Sequence, residues 1–263
     1  MLRVSQGRAK NTGSGLPIRM PFTSLAAAKG AIRRGGLTLI AAGPGTGKSV
    51  FAQTIAQKGD GNGNVDSVLY FSADSSAFDI YIRAAAIATG RTMESLEQEI
   101  EEHGPSRIDA IVDKATAHMW MSFRTDPTEE YVVAQLRAYA EVHGAYPDLV
   151  VMDNLKNLDV GGEDEFRALE EASVFLSGIA KAANIAVVAL QHVRGDLESG
   201  REPIPLSGIR GKVTKTPQLI LTLYRGNDLL HVAIVKNRGG KADPTGMTTV
   251  PLYADLSRMF IQG

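Results

Sequence analysis

Along the chain, apolar and polar positions follow two rhythms. Short apolar runs, LTLIAA (37–42), SVLYFS (67–72), AHMWMSF (117–123), DLVVMD (148–153) and IAVVAL (185–190), read as strands buried on both faces. Between them, apolar residues recur three and four apart, as on one face of a helix. These stretches are SVFAQTIAQKG, SSAFDIYIRAAAIATG, two short helices over 92–115 broken at His103-Gly104-Pro105, DPTEEYVVAQLRAYAEVHG, and a segment near 164–182. Asp126 and Pro127 supply an N-cap and a first-turn proline for the helix that begins DPTEE. Strands alternating with long helical connections to about residue 190 imply an α/β fold, a parallel sheet with helices on both faces. From residue 218 the rhythm changes. LILTLYR, DLLHVAIVKNR, TTVPLYA and SRMFIQ are short strand candidates separated by turns such as RGND and GGKADPTG. They imply antiparallel strands added at the sheet edge. Residues 1–20 have the Gly/Ser/Asn/Pro content of a flexible arm, and 21–263 read as one domain.

Composition narrows the function classes. The 263 residues suffice for one large domain with a full core. No cysteine is present, which excludes disulfides, thiolate zinc sites and cysteine nucleophiles. No apolar stretch approaches the ~20 residues needed to span a bilayer, and MLRVSQGRAKNTGSG lacks the apolar segment of a secretory signal. A soluble, cytoplasmic chain with no membrane partner is expected. The net charge is −1, but charge is segregated. Residues 1–59 carry Arg3, Arg8, Lys10, Arg19, Lys29, Arg33, Arg34, Lys48 and Lys58 without an acid, and 205–227 carry Arg210, Lys212, Lys215 and Arg225 without one. Such a distribution fits one anion-facing surface. The acidic run ESLEQEIEE (94–102) reads as a solvated helix face, and Trp120, inside an apolar strand, reads as core.

The most specific chemistry lies in AAGPGTGKSV (41–50), a glycine-rich turn between a strand and a helix. Backbone N–H groups of Gly43, Pro44-flanked Gly45, Thr46, Gly47, Lys48, Ser49 and Val50, together with the helix N-terminus, form a phosphate cradle there. Lys48 reaches the outer phosphates of ATP and the Ser49 hydroxyl ligates Mg²⁺. The first position of the usual G-x-x-x-x-G-K-[ST] pattern is Ala42. Asp153 ends a wholly apolar strand, where a carboxylate is costly unless paired or bound to metal, so it is the second expected Mg²⁺ group. Asn154 follows it, so no adjacent glutamate can orient the attacking water. Asp74, ending the second strand in SVLYFSADSS, is the candidate for that role, with capping of the next helix as its alternative.

Together these pieces resemble the RecA/DnaB branch of the P-loop ATPases, which includes the ring helicases and bacterial RadA. The resemblance spans residues 20–263. It rests on the alanine opening the phosphate loop, YFSADS, the Asp153 strand, ALQHVR (189–194), PLSGIRG (205–211), LTLYR and VKNRGG. It implies a RecA-like core in which Asp74 stands where the family carries a catalytic glutamate, one methylene longer. It also implies that Gln191 or His192 is the polar sensor of the γ-phosphate. Lys236 and Arg238, two apart on a strand and therefore on one face, have only Asp243 as a following acid nearby. The resemblance implies that they reach the nucleotide of the neighbouring subunit in a ring of six or seven. The segment 193–216 matches the family's mobile DNA loop, with Arg194, Arg201, Arg210, Lys212 and Lys215 at phosphates. It contains no aromatic residue for base stacking. Ring helicases usually carry an N-terminal domain and a linker helix, whereas about twenty residues precede the core here. A tethering arm, a minimal ring or a weaker assembly is then expected. The expected function is a DnaB/RecA-like helicase or translocase on single-stranded or forked DNA. The alternatives are a recombination or branched-DNA enzyme, with or without nuclease activity, and a KaiC-like regulatory ATPase that moves no DNA. No nuclease motif is recognisable.

Overall fold

The computed structural model describes residues 15–162, 164–226 and 229–263. One nine-stranded sheet runs through it in the order β3-β2-β4-β5-β1-β6-β7-β8-β9. The strands are β1 (Leu37–Ala42), β2 (Val68–Ser72), β3 (Met119–Ser122), β4 (Leu149–Asp153), β5 (Ala186–His192), β6 (Leu219–Gly226), β7 (Leu229–Asn237), β8 (Thr249–Asp255) and β9 (Phe260–Gln262). From β3 to β6 all neighbours are parallel, and β6 to β9 form an antiparallel extension. The expected α/β architecture is therefore present, edge strands included. In SRMFIQ only the last three residues are strand, because Leu256–Arg258 close into a 3₁₀ turn first.

The apolar runs form strands because helices cover both faces. The helices are α1 (Thr23–Ala27), α2 (Lys48–Lys58), α3 (Ala77–Thr89), α4 (Met93–His103), α5 (Ser106–Thr116), α6 (Glu129–His143) and α7 (Glu165–Ala183). All six residues of β1 are buried. On one face Ile40 and Ala42 meet Phe51 and Ile55 of α2. On the other, Leu39 and Ala41 share a core with Leu136 of α6 and Leu176 of α7. Helices α3 to α5 enclose a smaller apolar cluster around Ile82, Leu96 and Ile108. Trp120 is half-buried against Tyr139 and His143.

Two local details differ from the sequence expectations, and a third removes the alternative given for Asp74. Thr128, not Asp126, caps α6, its hydroxyl accepting from the Tyr131 N–H at 3.2 Å. Ser76 caps α3 in a reciprocal capping box with Asp79, which leaves Asp74 outside that role. The folded unit also begins before residue 21. Ile18 and Met20 are buried, the Ile18 N–H donates to Ile32 O, and Arg19 binds Asp66 through backbone and guanidinium. The remainder of the expected arm, 1–14, lies outside the described residues.

Candidate active site

Parallel strands point their carboxyl ends the same way, and in an open α/β sheet that edge forms the ligand crevice. Here it gathers the ends of β1, β2, β4 and β5. The turn after β1 is built by glycine: Gly45 and Gly47 adopt φ of +69° and +105°, which side chains rarely tolerate. Helix α2 then starts at Lys48 with no side-chain cap, so its first N–H groups are free for an anion. Lys48 is buried at 7% exposure and makes no ion pair among the described residues. Burial lowers its ammonium pKa, while Asp153 and then Asp74 pull it upward. Thr46 and Val50 are buried at the same turn.

Asp153 ends β4 at 1% exposure. The Tyr70 hydroxyl donates to its Oδ2 at 3.3 Å, and Oδ1 has no partner. Burial raises its pKa, opposed by the Ser49 hydroxyl beside it and by Lys48. Strands β2 and β4 pair Ser72 with Asp153, and the Ala73 N–H donates to Asp153 O at 2.8 Å. This register delivers Asp74 to the same crevice. Its Oδ2 accepts from Asn154 Nδ2 at 2.6 Å, and Lys156 Nζ lies 3.9 Å from Oδ1. Gln191 and His192 pair with Ala41 and Ala42, the last residues of β1. Gln191 Nε2 donates to Arg210 O at 3.0 Å, leaving its Oε1 unpartnered. Burial, then the charges of Lys48 and Lys156, lowers the His192 pKa.

A buried polar atom without a partner costs about 1–3 kcal/mol, and folded proteins keep few of them. Five belong to residues of this crevice: Thr46 Oγ1, Asp153 Oδ1, Asn154 Oδ1, Gln191 Oε1 and His192 Nε2. With the glycine cradle and a buried lysine, the Thr46 hydroxyl and His192 Nε2 suit the donor needs of a phosphorylated nucleotide, while the Asp153 and Gln191 oxygens accept from water or bind a metal. Ser49 and Asp153, adjacent oxygens with one carboxylate lone pair set free, fit the accompanying Mg²⁺. The segment after β5 lies directly on this cradle. A Cβ on Gly43 would collide with Glu198 O, and one on Gly200 would collide with Thr46 Oγ1. Neither contact was legible in the sequence, since no local pattern encodes it.

The remaining expected residues separate into three places. Arg194, Arg210 and Lys212 line one open cavity of about 690 Å³, where Arg210 also pairs with Glu165 at 2.9 Å. Phe166, half-exposed on the first turn of α7, lines the same cavity and supplies the aromatic ring that 193–216 lacks. Arg201 stands apart, beside Pro44, Gly45, Thr46 and Arg225 in a cleft against the phosphate loop. Lys215 lies at the other end of the sheet. Its carbonyl accepts from Lys236 Nζ at 2.8 Å and from Arg238 at 2.7 Å, and Lys236 also donates to Thr214 O. The paired cations thus have carbonyl partners in their own chain, while Asp243 is turned to Thr245 and Thr248. Antiparallel β7 carries them away from their own phosphate loop: Lys236 pairs with Ile220, and the Arg238 N–H donates to Gln218 O, beside the start of β1.

Comparison with known proteins identifies the family and the fold. Residues 17–256 match the family model described as DnaB-like helicase C terminal domain. The Gene 65 protein of Mycobacterium phage L5 is 38% identical over 224 residues, covering 82% of this chain and 81% of that protein. The replicative DNA helicase DnaB of Pasteurella multocida is 27% identical over 84% of this chain, and the chain spans 50% of that helicase's length. Among solved structures, one described as an ATPase domain superposes with a TM-score of 0.78 at 19% identity, covering 98% of this chain and 95% of that one. A DnaB-like replicative helicase, described with its interactions with primase, gives 0.80 at 18% identity, covering 98% and 64%. With its phosphate loop, strand-end acids and sheet order arranged on that fold, the chain belongs to the DnaB-like helicase C-terminal domain family and is a helicase-like ATPase.

Proposed function

We propose that this protein hydrolyses ATP with Mg²⁺ in a hexameric or heptameric ring and uses the turnover to translocate on, and open, DNA. The observation that carries the reading is the path of the segment 193–216. It leaves the strand of Gln191 and His192, rests on the phosphate loop through Glu198 and Gly200, lines the cationic cavity, and ends on Lys236 and Arg238. A displacement of that segment by DNA is felt at its own nucleotide and at the cations that face away from it.

In this reading the loop N–H groups and Lys48 hold the β- and γ-phosphates, and Ser49 and Asp153 hold Mg²⁺. The metal, when bound, neutralises charge on the phosphate oxygens. Asp74 orients the attacking water, with Asn154 fixing its carboxylate. Gln191 or His192 contacts the γ-phosphate and passes its loss to residues 193–201. Arg238, with Lys236, serves the site of the adjacent subunit, because its own lies at the far end of β1. Arg194, Arg210 and Lys212 contact DNA phosphates, which fixes position without reading sequence.

The test is ATPase and strand-displacement assay on forked, single- and double-stranded DNA, with Lys48→Ala as the inactive control. DNA-stimulated turnover with unwinding supports the reading. Product shortening identifies a branched-DNA nuclease, and turnover indifferent to DNA identifies a regulatory ATPase.

A further inference from the structure

The turn leaving β4 brings a second lysine of the same chain into the crevice. Lys156 lies on the 3₁₀ turn Leu155–Asn157, anchored by fully buried Leu155. Its side chain is 44% exposed, and Nζ stands 3.9 Å from Asp74 Oδ1, outside hydrogen-bond range. Asn154 meanwhile holds the other oxygen of Asp74 at 2.6 Å. An acid that orients the attacking water is one water away from the γ-phosphorus. An ammonium beside that acid is therefore one side-chain swing from the γ-phosphate oxygens.

We propose that Lys156 is a further catalytic cation of its own chain's site, bridging Asp74 and the γ-phosphate of ATP. It rests on reading Asp74 as the water-orienting acid. In the step, the water oxygen bonds to the γ-phosphorus, the bridging oxygen leaves with its electron pair on ADP, and the water proton passes to Asp74. Lys156 keeps its protons and takes up charge on the transferred group. Aspartate is one methylene shorter than glutamate, and the ammonium 3.9 Å from its Oδ1 supplements that shorter reach by contacting the phosphate itself.

The experiment compares Lys156→Met, Lys156→Gln and Lys156→Arg for turnover and for binding of ADP and of a non-hydrolysable ATP analogue. For Lys156→Met, ADP affinity stays near wild type, showing an intact site. The preference for the ATP analogue falls about 10-fold, as expected for one charge-assisted contact. Turnover falls about 10²-fold, as for other lost transition-state donors. Lys156→Arg recovers part of both, and Lys156→Gln recovers neither. Wild-type turnover in Lys156→Met or Lys156→Gln, or equal loss of ADP and analogue binding, overturns the proposal. Asp74→Asn separates the two readings: normal turnover there refutes the role of Asp74 itself, whereas an inactive Asp74→Asn beside a normal Lys156→Met refutes only Lys156.

Discussion

Arg238→Ala is the perturbation that tests the proposed ring. The backbone N–H of Arg238 donates to Gln218 O and that of Gln218 to Leu37 O, so Arg238 stands beside the first residue of β1. The phosphate loop opens after the last, Ala42. Five strand steps at ~3.3 Å separate them by roughly 17 Å, well beyond the reach of an arginine side chain. Any direct contact of Arg238 with a nucleotide is then with that of another subunit of the proposed ring. Within its own chain the exposed guanidinium gives Lys215 O one hydrogen bond at 2.7 Å. Losing it costs about 1 kcal/mol of stability, so the variant stays folded and binds ATP. Removing an arginine finger, by contrast, lowers turnover about 10³–10⁵-fold, or roughly 4–7 kcal/mol of transition-state stabilisation. The assay is steady-state ATP turnover of Arg238→Ala, of Lys48→Ala, and of mixtures whose subunits demonstrably exchange. Each variant alone is inactive. In a random 1:1 mixture about one interface in four joins an intact phosphate loop to an intact Arg238 across a head-to-tail contact. Recovery toward about a quarter of wild-type turnover is expected. Exchange without any recovery refutes action across the interface.

Asp74→Asn should abolish hydrolysis while retaining ATP binding, and Asp74→Glu should keep or raise turnover; equal, near-normal rates for both variants would return Asp74 to a structural role. Gly200→Ala forces a Cβ into Thr46 Oγ1 at a φ of +63°. It should cost about 1–2 kcal/mol of stability from the left-handed backbone alone and raise the KM for ATP, measured by thermal melting and turnover. Charge reversal at Arg210 and Lys212 should weaken DNA binding on all sequences and flatten its salt dependence, since phosphate contacts release counterions. Phe166→Ala should weaken binding to single strands and leave the salt slope unchanged, because stacking carries no charge; both are read by fluorescence anisotropy at several salt concentrations. His192 is held below the ordinary imidazole value of 6.5 by burial. The unfolded chain therefore binds its proton first, and folding stability falls as pH drops below that value; His192→Gln should flatten this limb in urea titrations between pH 5 and 8.

The comparison between sequence and structure divides by distance along the chain. The phosphate loop was legible because its chemistry is contiguous: a glycine turn, a lysine and a serine at fixed spacing build their site from their own backbone. Asp153 stands out in the sequence because a carboxylate ending a wholly apolar strand needs a partner. The two rhythms of apolar positions gave the strands and helices, and the change near residue 218 gave the antiparallel edge, because burial period depends only on local geometry. At the start of α6 Asp126 and Thr128 compete to cap, and the position of the Tyr131 N–H chose Thr128. Ile18 and Arg19, read from sequence as part of the arm, are fixed by Ile32 and Asp66 rather than by their neighbours.

What only the tertiary structure decided are contacts between residues far apart in sequence. Asn154 meets Asp74 across 80 positions, Glu198 covers Gly43, and Gly200 covers Thr46. Lys156 approaches Asp74, and Phe166 joins Arg194, Arg210 and Lys212 in one cavity. Lys236 and Arg238 read as unneutralised cations until the fold supplied the carbonyls of Thr214 and Lys215. Sequence determined which elements form and which groups end them, because those depend on neighbours within a turn or a strand. Sheet order and register determined which of those ends share a crevice, because a side chain acts over a few ångströms and only packing brings distant residues that close.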